Sequence, residues 1–401
     1  MITRAKHIFE WLIAISIVFE TRTIYLHSDL NISNIFTYLC FALLLLGTLG
    51  LFFVNKMSKI SINKSYILLI YPFLLLIYFI FRPYSLMEDL FYAISLFLFL
   101  FVFMMNSKNG ILDKYVKIIL LISIVSLFFW LFGLKLGFFK PSGMFYSDWT
   151  KRTVQNYYYV FFATQGERNT AIFTEAPMSS LHFSVALLIL TFVLKKKRKI
   201  FSYMILILAI YSTGAITGYI FILFYLLYIL LNYKSKVKLI NQLKYLLLIV
   251  SIVIVFVFAK DLFLEKLQTD SGGRRLEDLV NCFEAFKSSP IFGIGGGDIA
   301  EAKLSGSSNS ILRLLAERGL FLGIPYLYCI FKYLHKNFTF RCFVFIALFM
   351  FLFVITSMHY TYLMFALLSY FYTYKPIRKK HKIVEKVDFV FCGEENAIYG
   401  Q

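Results

Sequence analysis

IFSYMILILAIYSTGAITGYIFILFYLLYILL, residues Ile200 to Leu231, is about 32 residues without a charged side chain, and its reading decides the fold. At about 1.5 Å per residue it is too long for one helix across a hydrocarbon core of roughly 30 Å, and somewhat short for two. Ser212-Thr213-Gly214 supplies a turn, and the flanking charge settles the choice. Lys195, Lys196, Lys197, Arg198 and Lys199 precede the run, while Lys234, Lys236 and Lys238 follow it. Lys and Arg collect on the cytoplasmic side of a bilayer. One crossing would separate the two clusters; two crossings put both inside. The run reads as a helical hairpin.

Working outward, further apolar runs lie near residues 8–25, 35–54, 66–81, 89–105, 118–137, 177–194, 243–259, 316–335, 342–357 and 360–374. Composition agrees: the chain is 60% apolar and 16% charged, where soluble domains run near 45–50% and 25%. The expected fold is therefore all-α, a single polytopic transmembrane domain over residues 1–401 with about 12 helices. The first apolar stretch lacks a small-residue cleavage site and reads as a span. With both termini cytoplasmic, 26 of the 41 Lys and Arg fall on the inner loops and tail, among them Arg4, Lys6, Lys56, Lys332 and Arg341. The net charge of +19 is then an orientation signal for a multi-pass cell-membrane protein, and nucleic acid is excluded as a partner. The five cysteines show no CxxC pair or ligand spacing, so no disulfide framework is expected.

This topology leaves two long outer loops, 138–176 and 260–310, and a cytoplasmic tail, 375–401. Long ordered loops commonly carry function. There is no HExxH and no GxxxxGK[ST], and the six histidines are scattered, so no metal site or nucleotide cofactor is expected. In the second loop, Leu276, Leu279, Val280, Phe283 and Phe286 recur at helical spacing after Gly273-Arg274-Arg275. They predict an amphipathic helix that lies on the membrane or caps the bundle. Gly293-Ile294-Gly295-Gly296-Gly297 lets the backbone pass close to something, a ligand being one occupant. Ser308-Asn309-Ser310 reads as a helix cap, and Arg313 and Glu317, four apart, can pair on one face. Arg313, Glu317 and Arg318 read equally as anchors snorkelling at the headgroups.

The basic groups along this outer loop run against the usual charge bias and point to an anion site. Arginine suits phosphate, because its planar fork donates two hydrogen bonds and keeps its charge. In the first loop, Glu175 at the membrane interface is a candidate general base, or else a partner of Arg168. His182 reads as an interhelical hydrogen bonder, and His359, in the short turn before the last span, as a weaker alternative base. Tyr157 through Phe162 either stack on sugar rings or bury at the interface.

Together these segments resemble the O-antigen and capsular-polysaccharide repeat-unit polymerases and the related O-antigen ligases. The similar region runs from Gly273 to Gly323: Arg275, an amphipathic helix, Pro290-x-x-Gly293-x-Gly295, the Asn309 helix start, then Glu317, Gly319 and Gly323. Upstream, Arg168, Phe173, Glu175 and Pro177 resemble a second element of that family. The resemblance implies a metal-independent membrane glycosyltransferase of the GT-C kind without a cofactor. Its donor would be an undecaprenyl-pyrophosphate-linked oligosaccharide at the outer face of the cytoplasmic membrane. The pathway would build a cell-envelope capsule, O-antigen or exopolysaccharide, with a flippase and a chain-length regulator as partners. Arg275, with Arg274, Arg168 or Arg313, would neutralise the departing pyrophosphate, and Glu175 or Glu317 would take the acceptor proton. Ligases carry a His before the helix-start Asn; Ser308 stands there in this chain, which favours a polymerase over a ligase-like transferase. A transporter of lipid-linked oligosaccharide would show charges buried along a mid-membrane path or an inverted repeat. Here the charges cluster in the two outer loops and near helix ends.

Overall fold

The computed structural model describes residues 2–26, 33–57, 70–81, 86–105, 108–147, 152–164, 166–194, 200–232, 270–295 and 309–374. Apolar runs become helices throughout them. In chain order these are α1 (Ile2–Glu20), α2 (Ser33–Met57), α3 (Ile70–Phe81), α4 (Leu86–Met104), α5 (Lys108–Phe128) and α6 (Ala176–Leu188). They continue with α7 (Ile200–Ser212), α8 (Ile216–Asn232), α9 (Asp270–Ser288), α10 (Ser310–Lys336), α11 (Phe340–Ile355) and α12 (Tyr362–Thr373). Widened π-helical turns extend α5 over Phe129–Lys135 and α6 over Ile189–Val193. The run that decides the fold is broken where Ser212-Thr213-Gly214 requires, with Gly214 at φ 59° between α7 and α8.

Among the described residues, four helical stretches are long and apolar enough to cross a bilayer: Asn34–Lys56, Asn109–Lys135, Ala176–Val193 and Ser310–Lys336. Leu90–Met104, Ile200–Ser212, Ile216–Asn232, Phe340–Ile355 and Tyr362–Thr373 are apolar but shorter. The expected span at 243–259 and the tail from Lys375 lie outside the described residues. The outward side chains fit a membrane protein. Leu46, Phe53, Leu121, Phe201, Ile324 and Phe331 are all exposed, a pattern costly in water and costless in hydrocarbon. One stretch is the opposite: 89% of Ala176–Val193 is buried, so α6 lies inside the bundle. Small side chains allow that position. A Cβ on Gly218 of α8 would stand 2.4 Å from Ser180 Oγ, so the two helices approach at backbone distance.

The all-α expectation needs one correction. The first long loop folds as a four-stranded antiparallel meander, β1 (Gly143–Ser147), β2 (Arg152–Tyr157), β3 (Val160–Ala163) and β4 (Arg168–Ala171), in the order β1-β2-β3-β4. Phe145 pairs with Val154, Gln155 with Phe162, and Phe161 with Ala171. Its central hairpin turns at Tyr158 and Tyr159, both in the left-handed region at φ 52° and 69°. Such turns ordinarily announce themselves by Asn-Gly or Gly-Gly, and two tyrosines do not. Here Asn156 substitutes for that signal, its Oδ1 accepting from Tyr159 N at 2.7 Å.

The sheet is fixed to the helices at one end of the bundle. Ile24 N donates to Ile172 O at 2.9 Å and Thr174 N to Arg22 O at 3.1 Å, joining the segment after α1 to the strand that leads into α6. Buried Asn169 donates to Ser126 Oγ of α5 and Ser212 Oγ of α7, at 3.1 and 2.9 Å. Glu20 Oε2 accepts from Tyr362 N at 2.7 Å and so ties α1 to the start of α12. These bonds bring the C-terminal ends of α1, α5 and α7 together with the N-terminal ends of α6 and α12. At the other end, Arg341 donates to Thr191 O and Lys114 lies over the Trp11 ring at 5.7 Å.

Candidate functional site

The site begins with a break in α10. Asn309 caps the helix as its sequence predicts, its side chain accepting from Ile311 N at 3.1 Å and Leu312 N at 3.0 Å. Nearly three turns later Gly319 leaves helical geometry at φ 62°, ψ −168°, a region open essentially to glycine alone. The carbonyls freed by the break need donors. The Pro290–Gly295 segment supplies two: Ile294 N donates to Ala316 O at 2.9 Å, and Gly295 N to Glu317 O at 3.0 Å. In return Leu320 N and Phe321 N donate to Pro290 O and Ile291 O, each at 2.9 Å. The glycine segment was expected to let the backbone approach something; its partner is the broken turn of α10.

α9 caps the bundle on one face and stays open on the other. Buried Cys282 and Ala285 pack on Ala316, while Leu279, Val280 and Phe283 point away. The side chains of Arg274 and Arg275, on the first turns of α9, lie outside the described residues.

The break turns Glu317 inward, where its side chain is completely buried. Arg313 Nε meets Glu317 Oε1 at 2.5 Å, the i,i+4 pair their spacing predicts. On the other oxygen, His359 Nε2 lies 3.6 Å from Glu317 Oε2. His359 arrives from the turn between α11 and α12, and that turn is clamped onto α10. Ser310 Oγ donates to Thr356 O and accepts from Met358 N at 2.8 Å, and Tyr326 Oη donates to His359 O. Burial first, with the Arg313 and Arg22 charges adding to it, holds the His359 imidazole below the usual histidine range, and Glu317 pulls the other way.

Arg318 is also buried rather than snorkelling. Its Nε donates to Tyr360 Oη at 2.9 Å, and its guanidinium lies 5.1 and 5.4 Å from the Tyr78 and Tyr360 ring centres. A crevice lined by Leu75, Tyr92, Leu96, Leu314, Leu322, Tyr326 and Phe365 opens beside it.

Glu175 stands at the N-cap of α6 without capping it, in extended geometry at φ −154°. The cation facing it is Arg22, in the turn after α1. Arg22 also lies in electrostatic range of Arg313 and donates from Nη2 to Ser357 Oγ at 3.1 Å. Its backbone sits at φ 53°, an uncommon position for a side-chain-bearing residue, held by the bond from Thr174 N. Arg168 is directed elsewhere: its Nη2 donates to Gly214 O at 2.8 Å and braces the α7–α8 turn. Arg22, Glu175, Arg313, Glu317 and His359 thus form one half-buried cluster drawn from α1, α6, α10 and the α11–α12 turn. His182, fully buried, stacks on Phe173 at 4.0 Å and is bonded to Tyr115 Oη at 3.0 Å and Thr21 O at 3.2 Å, an internal strut.

Arg22 was not legible as a site residue, because it closes a run that reads simply as the first span. One signal was present: in the orientation expected from the sequence, Glu20-Thr21-Arg22-Thr23 puts an arginine at the end of the first run where the charge bias disfavours it. No protein-family model, curated protein or solved structure matches the chain.

Proposed function

We propose that this chain is a multi-pass enzyme of the cell membrane that joins undecaprenyl-pyrophosphate-linked oligosaccharide repeat units at the outer face. In this reading it has about twelve spans, cytoplasmic termini and a GT-C-like fold, and it serves capsule, O-antigen or exopolysaccharide synthesis. The observation that carries the reading is the gathering of Arg22, Arg313, Glu175, Glu317 and His359 at one end of an apolar bundle. Two of the contributing segments, 168–177 and 290–323, are those with the family-like motifs.

The chemistry asks for what that cluster holds. A hydroxyl of the acceptor unit attacks the donor's anomeric carbon, a new C–O bond forms, and the bond to pyrophosphate breaks. The leaving group takes the electron pair, and its growing negative charge is met by fixed cations in a site shielded from water. In this reading Arg22 and Arg313 meet that charge and Arg274 and Arg275 add to the positive rim, while Arg168 holds the α7–α8 turn. Because pyrophosphate already leaves readily, the reading needs no nucleotide and no metal.

The test is the purified chain in nanodiscs with its lipid-linked repeat unit, chelator present and nucleotide absent, with products separated on a gel. A ladder of whole repeat units is the expected result. Transfer of one glycan to a different lipid or protein acceptor would make it a ligase-like transferase. Movement of the lipid-linked unit across liposomes without any new bond would make it a transporter.

A further inference from the structure

We infer that His359 is the base that takes the acceptor's proton in the transfer, and that Glu317 is the positioning residue that orients it. This rests on the proposed transfer reaction and deepens it.

Burial should not leave polar atoms idle, and at this turn it does. His359 is 3% exposed, yet its Nδ1 has no hydrogen-bond partner among the described residues. An unsatisfied buried polar atom is costly, so a folded chain keeps one where something arrives to use it. Its Nε2 faces Glu317 Oε2 at 3.6 Å, just beyond hydrogen-bond length, and that oxygen is likewise unpartnered. Catalytic contacts are commonly long before substrate binds and tighten in the complex. A proton on Nε2 turned toward the carboxylate leaves the lone pair on Nδ1, the form a general base requires.

Glu317 is poorly suited to be the base itself. Its Oε1 is held by Arg313 at 2.5 Å and its side chain is wholly enclosed, so it is a fixed anion. A carboxylate in that position stabilises the imidazolium that forms when His359 accepts a proton. The other groups facing the imidazole are cations. Arg313 belongs to α10, and Arg22 follows α1. Tyr326 donates to the His359 backbone carbonyl, and the Tyr360 ring lies 4.1 Å away on the same turn. At neutral pH this setting keeps the ring uncharged and able to accept. The same arginines face the pyrophosphate in the proposed reaction, so proton removal and charge neutralisation draw on one small cluster. The balance closes: the acceptor O–H proton goes to Nδ1, the oxygen bonds the anomeric carbon, and pyrophosphate leaves with the electron pair.

The experiment measures initial rates of ladder formation against pH for the full chain, His359→Gln and Glu317→Gln in nanodiscs. The wild-type rate is expected to hold through the ordinary histidine range and to fall only at lower pH, because burial lowers the His359 pKa in the fold. His359→Gln is expected to lose 10²-fold or more in kcat at neutral pH with KM for the donor unchanged, and to lose the acid limb. Glu317→Gln is expected to retain some activity and to shift the limb to lower pH, since the imidazolium loses its counter-charge. A His359→Gln rate within threefold of wild type, or an acid limb that persists in its residual activity, overturns the inference. Should His359→Gln elute aggregated, Glu317→Gln decides alone, and an unmoved limb counts against us. A wild-type chain that forms no ladder from authentic substrate overturns the proposed reaction and this inference with it. A wild-type ladder that His359→Gln leaves intact overturns this inference only.

Discussion

Gly293 and Gly319 close on each other so tightly that neither has room for a side chain. A Cβ on Gly319 would stand 2.6 Å from Gly293 N and 2.2 Å from Ile291 O; a Cβ on Gly293 would stand 2.4 Å from the Glu317 carbonyl. Both residues also have positive φ, 69° and 62°. This contact holds α10 broken, and the break is what directs Glu317 to His359.

Gly319→Ala therefore meets a steric and a conformational penalty at once. Backbone strain in this region costs about 1–3 kcal/mol, and overpacking about as much again. The variant should melt several degrees below wild type in detergent and lose transfer activity. A melting temperature equal to wild type would show that the two segments part without cost.

Arg313 and Glu317 separate a structural from a chemical role. Removing Arg313 alone leaves a fully buried carboxylate without its nearest cation, a change that typically costs about 3–5 kcal/mol. Replacing both by apolar residues of similar size often restores that stability. We expect Arg313→Met to be strongly destabilised and Arg313→Met/Glu317→Leu to regain most of its thermal stability while remaining inactive. A double variant that is both stable and active would reduce the pair to a scaffold.

Arg22 is the residue on which a sequence-based site list and a structural one differ most. If it faces the departing pyrophosphate, Arg22→Ala should slow ladder formation about 10²–10³-fold, the usual loss for one such preorganised group. Arg22→Lys should recover part of that rate by keeping the charge. Full activity in Arg22→Ala, measured on protein with wild-type melting behaviour, would remove it from the site.

The imidazole of His359 also makes stability depend on pH. Its pKa in the fold lies below the value of about 6.5 in the unfolded chain, mainly because of burial. Above about pH 6.5 both states carry it neutral and it contributes no slope. As pH falls below that point the unfolded chain binds the proton first, and stability is lost until the folded pKa is passed. Thermal melts between pH 7.5 and 5 should show this decline, and His359→Phe should flatten it. An unchanged slope in the variant would assign the decline to other groups.

Much of the fold was legible because its signals are local. The α7–α8 hairpin follows from a run too long for one crossing and a Ser-Thr-Gly break; the Asn309 cap and the Arg313–Glu317 pair follow from helical spacing. The meander was missed because its turn uses two tyrosines, and the glycine segment's partner because it lies more than twenty residues along the chain. Glu175 and Glu317 stood out as carboxylates at expected interfaces. Arg22 did not, and His359 ranked low, since a single histidine in a short turn has no pattern around it.

By itself the sequence determined the membrane character, the helical runs and the segments that converge on one end. Those properties depend on apolar length, charge and spacing within a few turns of chain, which any contiguous stretch displays. Only the tertiary structure decided which ionisable groups share a site. Arg22 and His359 are separated by more than three hundred residues, and Arg168 stands beside the segment it was expected to serve yet braces a different turn. Burial brings charges together only when each has a counter-charge within a few ångströms, and that pairing depends on how the helices pack, which no local pattern records.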